Sequence, residues 1–225
     1  YPSDVDAAPR DSTYPAYPDV LYMISTVHNY HAKEGRPLLD IQTNLIRFME
    51  TLDNLRLVWG TKAVFNLIST WFVLGKTKVP AKEDSPCNPT GFYSITARAR
   101  EQLLISYCET FGMKYRILRL GNVIGVGDKK ISNQKNALQF MIRELAQGRE
   151  INLYRSGTVR DYIDVRDVVS AIRLVLEKGK TNEIYNIANG QGFDVGYLVE
   201  HAHTAANYTG KINLIDTPEF HRLVQ

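Results

Sequence analysis

Residues 63 to 97 constrain this chain more than any other stretch. Ala63-Val64-Phe65-Asn66-Leu67-Ile68 is a short apolar run that ends in two hydroxyls, Ser69 and Thr70. Apolar runs of this length bounded by turn residues read as buried strands. A loop through Gly75, Pro80, Pro86 and Pro89 follows, and Tyr93-Ser94-Ile95-Thr96-Ala97 then opens a segment with Tyr93, Ala97, Leu104, Cys108 and Phe111 at helical spacing. Open parallel sheets bind their ligands beyond the carboxyl ends of the strands. The Thr70 hydroxyl at a strand's end and the Tyr93 phenol in a helix's first turn are therefore expected to face one pocket. A plainer reading uses the same residues as a core strand, a proline-rich loop and a helix with an ordinary core tyrosine.

The rest of the chain alternates in the same way. Strands are predicted at Asp19 to Ser25, at Lys114 to Leu120, at Ile151 to Tyr154 and at Ile184 to Ala188. Helices are predicted from Pro37 to Leu57, over 92 to 111, and over 134 to 147 with Gly148 as a left-handed cap. Asp164, with Asp167 in the first turn, reads as the N-cap of a helix through Glu177, and Asp194 as the cap of one through Ala206. Capping explains both Asp164 and Asp167 locally, so they are not read as an acid/base pair. Residues 121 to 127, with glycines at 121, 125 and 127, read as a loop. Strands alternating with helices imply an α/β fold with a parallel sheet and right-handed crossovers.

Composition removes several function classes. With 225 residues, 44% apolar and 23% charged, the chain has ordinary globular make-up. A net charge of +3 without a Lys/Arg cluster gives no footing for nucleic acid. No apolar run approaches the roughly 20 residues of a membrane span, and no signal-peptide pattern opens the chain. Cys87 and Cys108 lack metal-type spacing and suit a reducing compartment, which points to the cytoplasm. His28 and His31 lie close in sequence, as do His201 and His203. Residues two apart on a helix point to different sides, so no metal site is read from the second pair. Residues 1 to 18, rich in Pro, Asp and Ser, read as loop or linker, and both ends suggest a piece of a longer protein.

Several segments together resemble the extended short-chain dehydrogenase/reductases, the NAD-dependent nucleotide-sugar epimerases and dehydratases. Ser69-Thr70-Trp71-Phe72-Val73-Leu74-Gly75 is similar to that family's Ser-Ser/Thr-x-x-Val-Tyr-Gly. Tyr93 falls where the family places the tyrosine of its Tyr-x-x-x-Lys pair. Arg119-Leu120-Gly121-Asn122-Val123-Ile124-Gly125 resembles Arg-x-x-Asn-Val-Tyr-Gly. Gly157 to Ile163 resembles Gly-x-x-Arg-Asp-Tyr/Phe-Ile, and Tyr185-Asn186-Ile187 resembles the Tyr-Asn-Ile/Val strand. The order and spacing of these pieces carry the resemblance across nearly the whole chain.

The resemblance implies a Rossmann-type sheet over residues 1–122 and 160–188, apparently without its first βαβ unit, and a small substrate-binding lobe from 123–159 and 189–225. It implies NAD or NADP as cofactor, a nucleotide-diphosphate sugar as substrate, and a homodimer. Thr70 and Tyr93 are the implied catalytic pair. Ser25, Asn44, Tyr93 and Val123 are implied at the cofactor, and Thr70, Asn122, Asn136 and Arg160 at the sugar or its diphosphate.

Three departures shape the expected reaction. Ala97 stands where the family has its lysine. A free phenol ionises near pH 10, and a nearby cation is what brings it toward neutrality, so Ala97 removes the expected help. No glycine-rich turn precedes Asp19, although a dinucleotide fold presents backbone N–H groups to the pyrophosphate there. Trp71 and Phe72 occupy the place of the acidic residue found in the family's dehydratases, which favours epimerisation or keto-sugar reduction. The alternative is a catalytically impaired relative that binds a nucleotide sugar or serves as an assembly subunit.

Overall fold

A computed structural model of the chain describes residues 19–128, 132–155 and 157–223. The loop expected over residues 1–18 and the chain's last residues lie outside that range. Strands β1 (Asp19–Tyr22), β2 (Val64–Thr70), β3 (Lys114–Leu120) and β7 (Glu183–Ile187) form a sheet in the order β1-β2-β3-β7, parallel throughout. Val64 to Thr70 are in register with Lys114 to Leu120, so the two central strands end level.

Successive residues of a strand point to opposite faces, and both faces of this sheet are covered. Phe65, Leu67 and Ile117 pack on one side against Phe48 and Leu52 of α2 (Arg47–Trp59) and Leu104 and Cys108 of α3 (Phe92–Phe111). Leu118, the neighbour of Ile117, packs on the other side against Val168 and Ile172 of α5 (Val165–Lys178). That two-sided burial is why these strands are apolar runs and not alternating ones. Asp164 caps α5 by accepting from the Arg166 amide at 2.8 Å, and Asp194 caps α6 (Val195–Ala205) by accepting from the Tyr197 amide at 2.9 Å.

A second core lies beyond the carboxyl ends of the sheet. Leu138, Met141 and Leu145 of α4 (Ala137–Ala146) pack with Ile151 and Leu153 of β5 (Ile151–Tyr154) and Val199 of α6. Parallel to β5 runs β9 (Ile212–Ile215). Gly148 adopts φ 72°, as the left-handed cap of α4 requires.

The structure differs from the sequence-based expectation in three places. Residues 121–127 are not all loop: β4 (Asn122–Ile124) pairs in parallel with β6 (Val159–Asp164), and β6 pairs antiparallel with β8 (Gly192–Asp194). These strands carry no apolar alternation, so only their ladder partners define them. At Gly125 a Cβ would lie 2.4 Å from Val165 Cγ1, which explains that glycine as a close approach between β4 and α5. The helix expected from Pro37 is divided into α1 (Leu39–Ile41), a wide π turn over Gln42–Ile46, and α2. The ladder of β1 stops at Tyr22, which leaves 23–27 as an extended segment running into the site.

Candidate active site

Thr70 closes β2, and its hydroxyl accepts from the Phe72 amide at 3.3 Å, capping a short turn over Trp71–Val73. The chain then bends at Gly75, where φ is 56° and a Cβ would sit 1.9 Å from the Asn88 carbonyl oxygen. Only glycine permits that approach. Tyr93 is set by the other end of the loop. Asn29 accepts from the Ser94 amide at 3.1 Å and donates from Nδ2 to the Ser94 hydroxyl at 2.9 Å. A side chain thus anchors the first turn of α3 from far away in sequence, in the way a cap satisfies the orphan amides of a helix start.

This framing brings Thr70 and Tyr93 to the wall of one cleft, with the Phe72 ring edge-on to the tyrosine at 5.9 Å between centroids. Burial pushes the phenol's ionisation upward. Thr70 and the charge of Arg100 oppose that push without overcoming it, and Asp40 adds to it. At neutral pH the Tyr93 hydroxyl is therefore protonated.

Ser25, Thr70, Tyr93, Asn122, Val123, Asn136 and Arg160 border one cleft of about 980 Å³. The cleft lies beyond the ends of β1, β2 and β3, with the second core as its far wall. Asn122 donates from Nδ2 to the Asp161 carbonyl at 3.0 Å. Asn136 takes a left-handed backbone, φ 55°, and donates to Asp128 at 2.7 Å. The guanidinium of Arg160 lies 5.1 Å from the centre of the Trp71 ring, a cation–π contact. Burial lowers its ionisation, with a smaller opposing contribution from Tyr162.

Asn44 stands apart from this group. It is fully buried in the π turn, behind the wall. Its Nδ2 donates to Thr26 at 2.7 Å and to Thr96 at 2.9 Å, and its Oδ1 accepts from the Thr26 amide at 2.9 Å and the Ser25 hydroxyl at 3.2 Å. Its place is to hold residues 25 and 26 against α3, so that Ser25, not Asn44, meets the cleft. Ala97 also lies off the cleft, sealed among Val73, Leu74, Ala81 and Cys87.

Sequence reading passed over two side chains that the structure brings to the site. Arg100 lines the cleft on the same helix face as Tyr93, two turns on, and that spacing was a legible signal. The Asn29 anchor joins residues 65 apart, and no local pattern announces it. Among the described residues no group of three or more His, Cys, Asp or Glu side chains could hold a metal ion.

A family model described as the NAD dependent epimerase/dehydratase family matches residues 8–188. The GDP-6-deoxy-D-mannose reductase of Pseudomonas aeruginosa is 29% identical over 170 residues, which cover 73% of this chain and 55% of that protein. The chain spans about half the length of the curated relatives it matches. Among solved structures, UDP-glucose 4-epimerase from Thermotoga maritima with UDP-glucose superposes at a TM-score of 0.79 and 24% identity, covering 91% of this chain and 65% of that one. UDP-glucose 4-epimerase from Thermus thermophilus in complex with NAD superposes at 0.75 and 25% identity, covering 88% and 64%.

Proposed function

The chain belongs to the NAD dependent epimerase/dehydratase family, and we propose that it binds NAD or NADP with a nucleotide-diphosphate sugar and interconverts a hydroxyl and a keto group on the sugar ring. The observation that carries this reading is that Thr70 and Tyr93 share the wall of a single cleft at the ends of the parallel strands. The residues present fit a bound nicotinamide. Ser25 and Val123 border the cleft, and the buried Nε of Arg100 beside it has no hydrogen-bond partner among the described residues. When bound, the cofactor supplies the acceptor and donor of hydride.

The chain's own residues do the remainder. Thr70 holds the sugar oxygen against Tyr93, and the phenol exchanges a proton with that oxygen. Because burial keeps the phenol protonated, its resting state suits donation to a keto oxygen, which favours the reducing direction. Arg160, held over the Trp71 ring, faces the diphosphate, where a guanidinium fork matches phosphate oxygens. Asn122 and Asn136 complete the sugar side. The second core, with α4 and β5, acts as the substrate lobe. Trp71 and Phe72, their rings tilted with centres 4.3 Å apart, put no carboxylate beside Thr70, which supports epimerisation or reduction over loss of water. The exposed apolar side chains Ile46 and Val58 near and in α2, and Ile95 and Leu103 of α3, support a homodimer through these helices.

The second reading, a relative that binds the sugar nucleotide without turnover, is favoured by Ala97 alone. Calorimetry with NAD, NADP and UDP- or GDP-sugars, followed by turnover assays, separates the two. We expect binding of both ligands. Tyr93→Phe should cut turnover by about 10²- to 10⁴-fold, the usual worth of acid–base catalysis, while sugar binding stays within a few-fold. Arg160→Ala should weaken sugar-nucleotide binding at least about tenfold, as expected for losing a charge-assisted contact. Binding without turnover selects the second reading, and binding of neither ligand ends both.

A further inference from the structure

Arg100 is a buried cation that forms no salt bridge with a carboxylate among the described residues. The residue is 1% exposed. Its Nη1 donates to the Ile24 carbonyl at 2.9 Å and its Nη2 to the Ile68 carbonyl at 3.3 Å, while Nε has no partner. The neighbouring Glu101 is committed elsewhere. It accepts from Arg119 at 2.8 and 3.0 Å, from Arg98 at 2.9 Å and from Ser69 at 2.6 Å. Withdrawing a guanidinium from water is costly unless an anion meets it. Backbone carbonyls alone offset only part of that cost, so the site is built for negative charge that arrives or forms.

Geometry says where that charge forms. Arg100 and Tyr93 share one face of α3 and border the same cleft. Long helical side chains lean toward the helix N-terminus, which carries Arg100 toward the tyrosine. The groups that face the phenol are few. From β2 comes the neutral Thr70 hydroxyl, from the Trp71–Val73 turn only the Phe72 ring, and from α1 the Asp40 carboxylate, whose Oδ1 is bonded to Thr26 and His31 and whose buried Oδ2 has no partner among the described residues. Among the described residues the cation coupled to the phenol is Arg100. A lysine in place of Ala97 would start from a position walled off by Val73 and Leu74.

We propose that Arg100 is the counter-charge for the ionised form of Tyr93, a positioning residue that supplies from two turns away the cation that Ala97 cannot. The step concerned is loss of one proton: the phenolic O–H bond breaks, its electron pair stays on oxygen, and the proton leaves to the sugar oxygen or to water. The catalytic meaning of this role rests on the hydride-transfer reading given above, but its test does not.

The test places difluorotyrosine at position 93, which lowers the phenol's intrinsic ionisation into the range where the fold is intact, and follows its titration by fluorine NMR. Arg100→Gln keeps an amide donor for the strand carbonyls and removes the charge. It should raise the midpoint by about one pH unit or more, tenfold in the ionisation constant, the usual effect of a close opposite charge. Arg100→Lys should stay within about half a unit. Arg100→Met fills the same space without charge and gives the same readout if the Gln variant fails to fold. A midpoint that does not move in the folded Gln or Met variant overturns the proposal. So does an unmoved midpoint joined to about tenfold weaker NAD binding, which would make Arg100 a ligand anchor. Failure of the parent chain to bind NAD or sugar nucleotide would sink the functional reading and leave the midpoint shift standing.

Discussion

Two arginines buried beside the same helix solve the same problem in opposite ways. Arg119, on β3, meets Glu101 through two short hydrogen bonds, and Ser69 and Arg98 occupy the rest of that carboxylate. Burial works against the Arg119 charge, yet Glu101 outweighs it and the guanidinium's ionisation is pushed up. Arg100, adjacent to Glu101 in sequence, has backbone carbonyls only, and burial pushes its ionisation down. The first cluster ties β2, β3 and α3 together behind the site. The second leaves a charge uncompensated on the side that opens to the cleft. A buried charge with its partner built in belongs to the fold, and the role proposed for Arg100 turns on a charge without one.

The comparison breaks most easily at Arg119. Arg119→Met takes two charge-assisted hydrogen bonds from buried Glu101 and leaves it Arg98 and Ser69, and we expect a loss of about 3 kcal/mol, measured by urea unfolding. A loss below about 1 kcal/mol would show the Arg119–Glu101 pair to be dispensable. Ala97→Lys comes next. It forces three more methylenes and a charge into the pocket formed by Val73, Leu74 and Cys87, and should cost about 1–3 kcal/mol from overpacking alone. An unfolding midpoint at or above the parent's would mean that this wall yields. Arg100→Met removes a charge that has no counter-ion, and its cost should stay within about 1 kcal/mol. A loss as large as that of Arg119→Met would erase the distinction between the two arginines.

A pH-dependent effect lies across the cleft, at His221. Burial, helped by the charge of Arg160, lowers its ionisation from 6.5 to about 4. Its Nδ1 meets the Tyr30 hydroxyl at 2.5 Å. The unfolded chain takes up a proton here below about pH 6.5 and the folded chain does not until about pH 4. The contribution is therefore complete above that upper value and is lost as pH falls through the window. Thermal melts across it should decline less for His221→Gln than for the parent, and parallel declines would remove His221 from the account.

Much of the frame was legible in the residues. The apolar runs at 64–70 and 114–120, the helical spacing after Pro89, and the aspartates at 164 and 194 each act through neighbours in sequence, so each announced its element. Thr70 and Tyr93 could be placed at one pocket because the end of a strand and the start of the next helix must lie at the same edge of a parallel sheet. The strands β4, β6 and β8 were not legible. Arg160 and Asp161 alternate nothing apolar, and the ladders with Asn122–Ile124 and Gly192–Asp194 are their only definition. Asn44 shows a different limit. The sequence marked it as belonging near the site, and its four hydrogen bonds put it behind the wall, acting through Ser25 and Thr26.

By itself the sequence determined the alternation of strands and helices and the edge at which a ligand must sit, because hydrophobic period and capping are short-range properties of the chain. The tertiary structure decided which side chains on the inner face of α3 reach that edge, sealing Ala97 and bringing buried Arg100 to the wall of the cleft. It also decided which of two adjacent buried charges, at 100 and 101, found a partner. Those outcomes depend on what β1, β2 and β3 bring from elsewhere in the chain, and a buried charge is stable or poised only with respect to the groups that surround it.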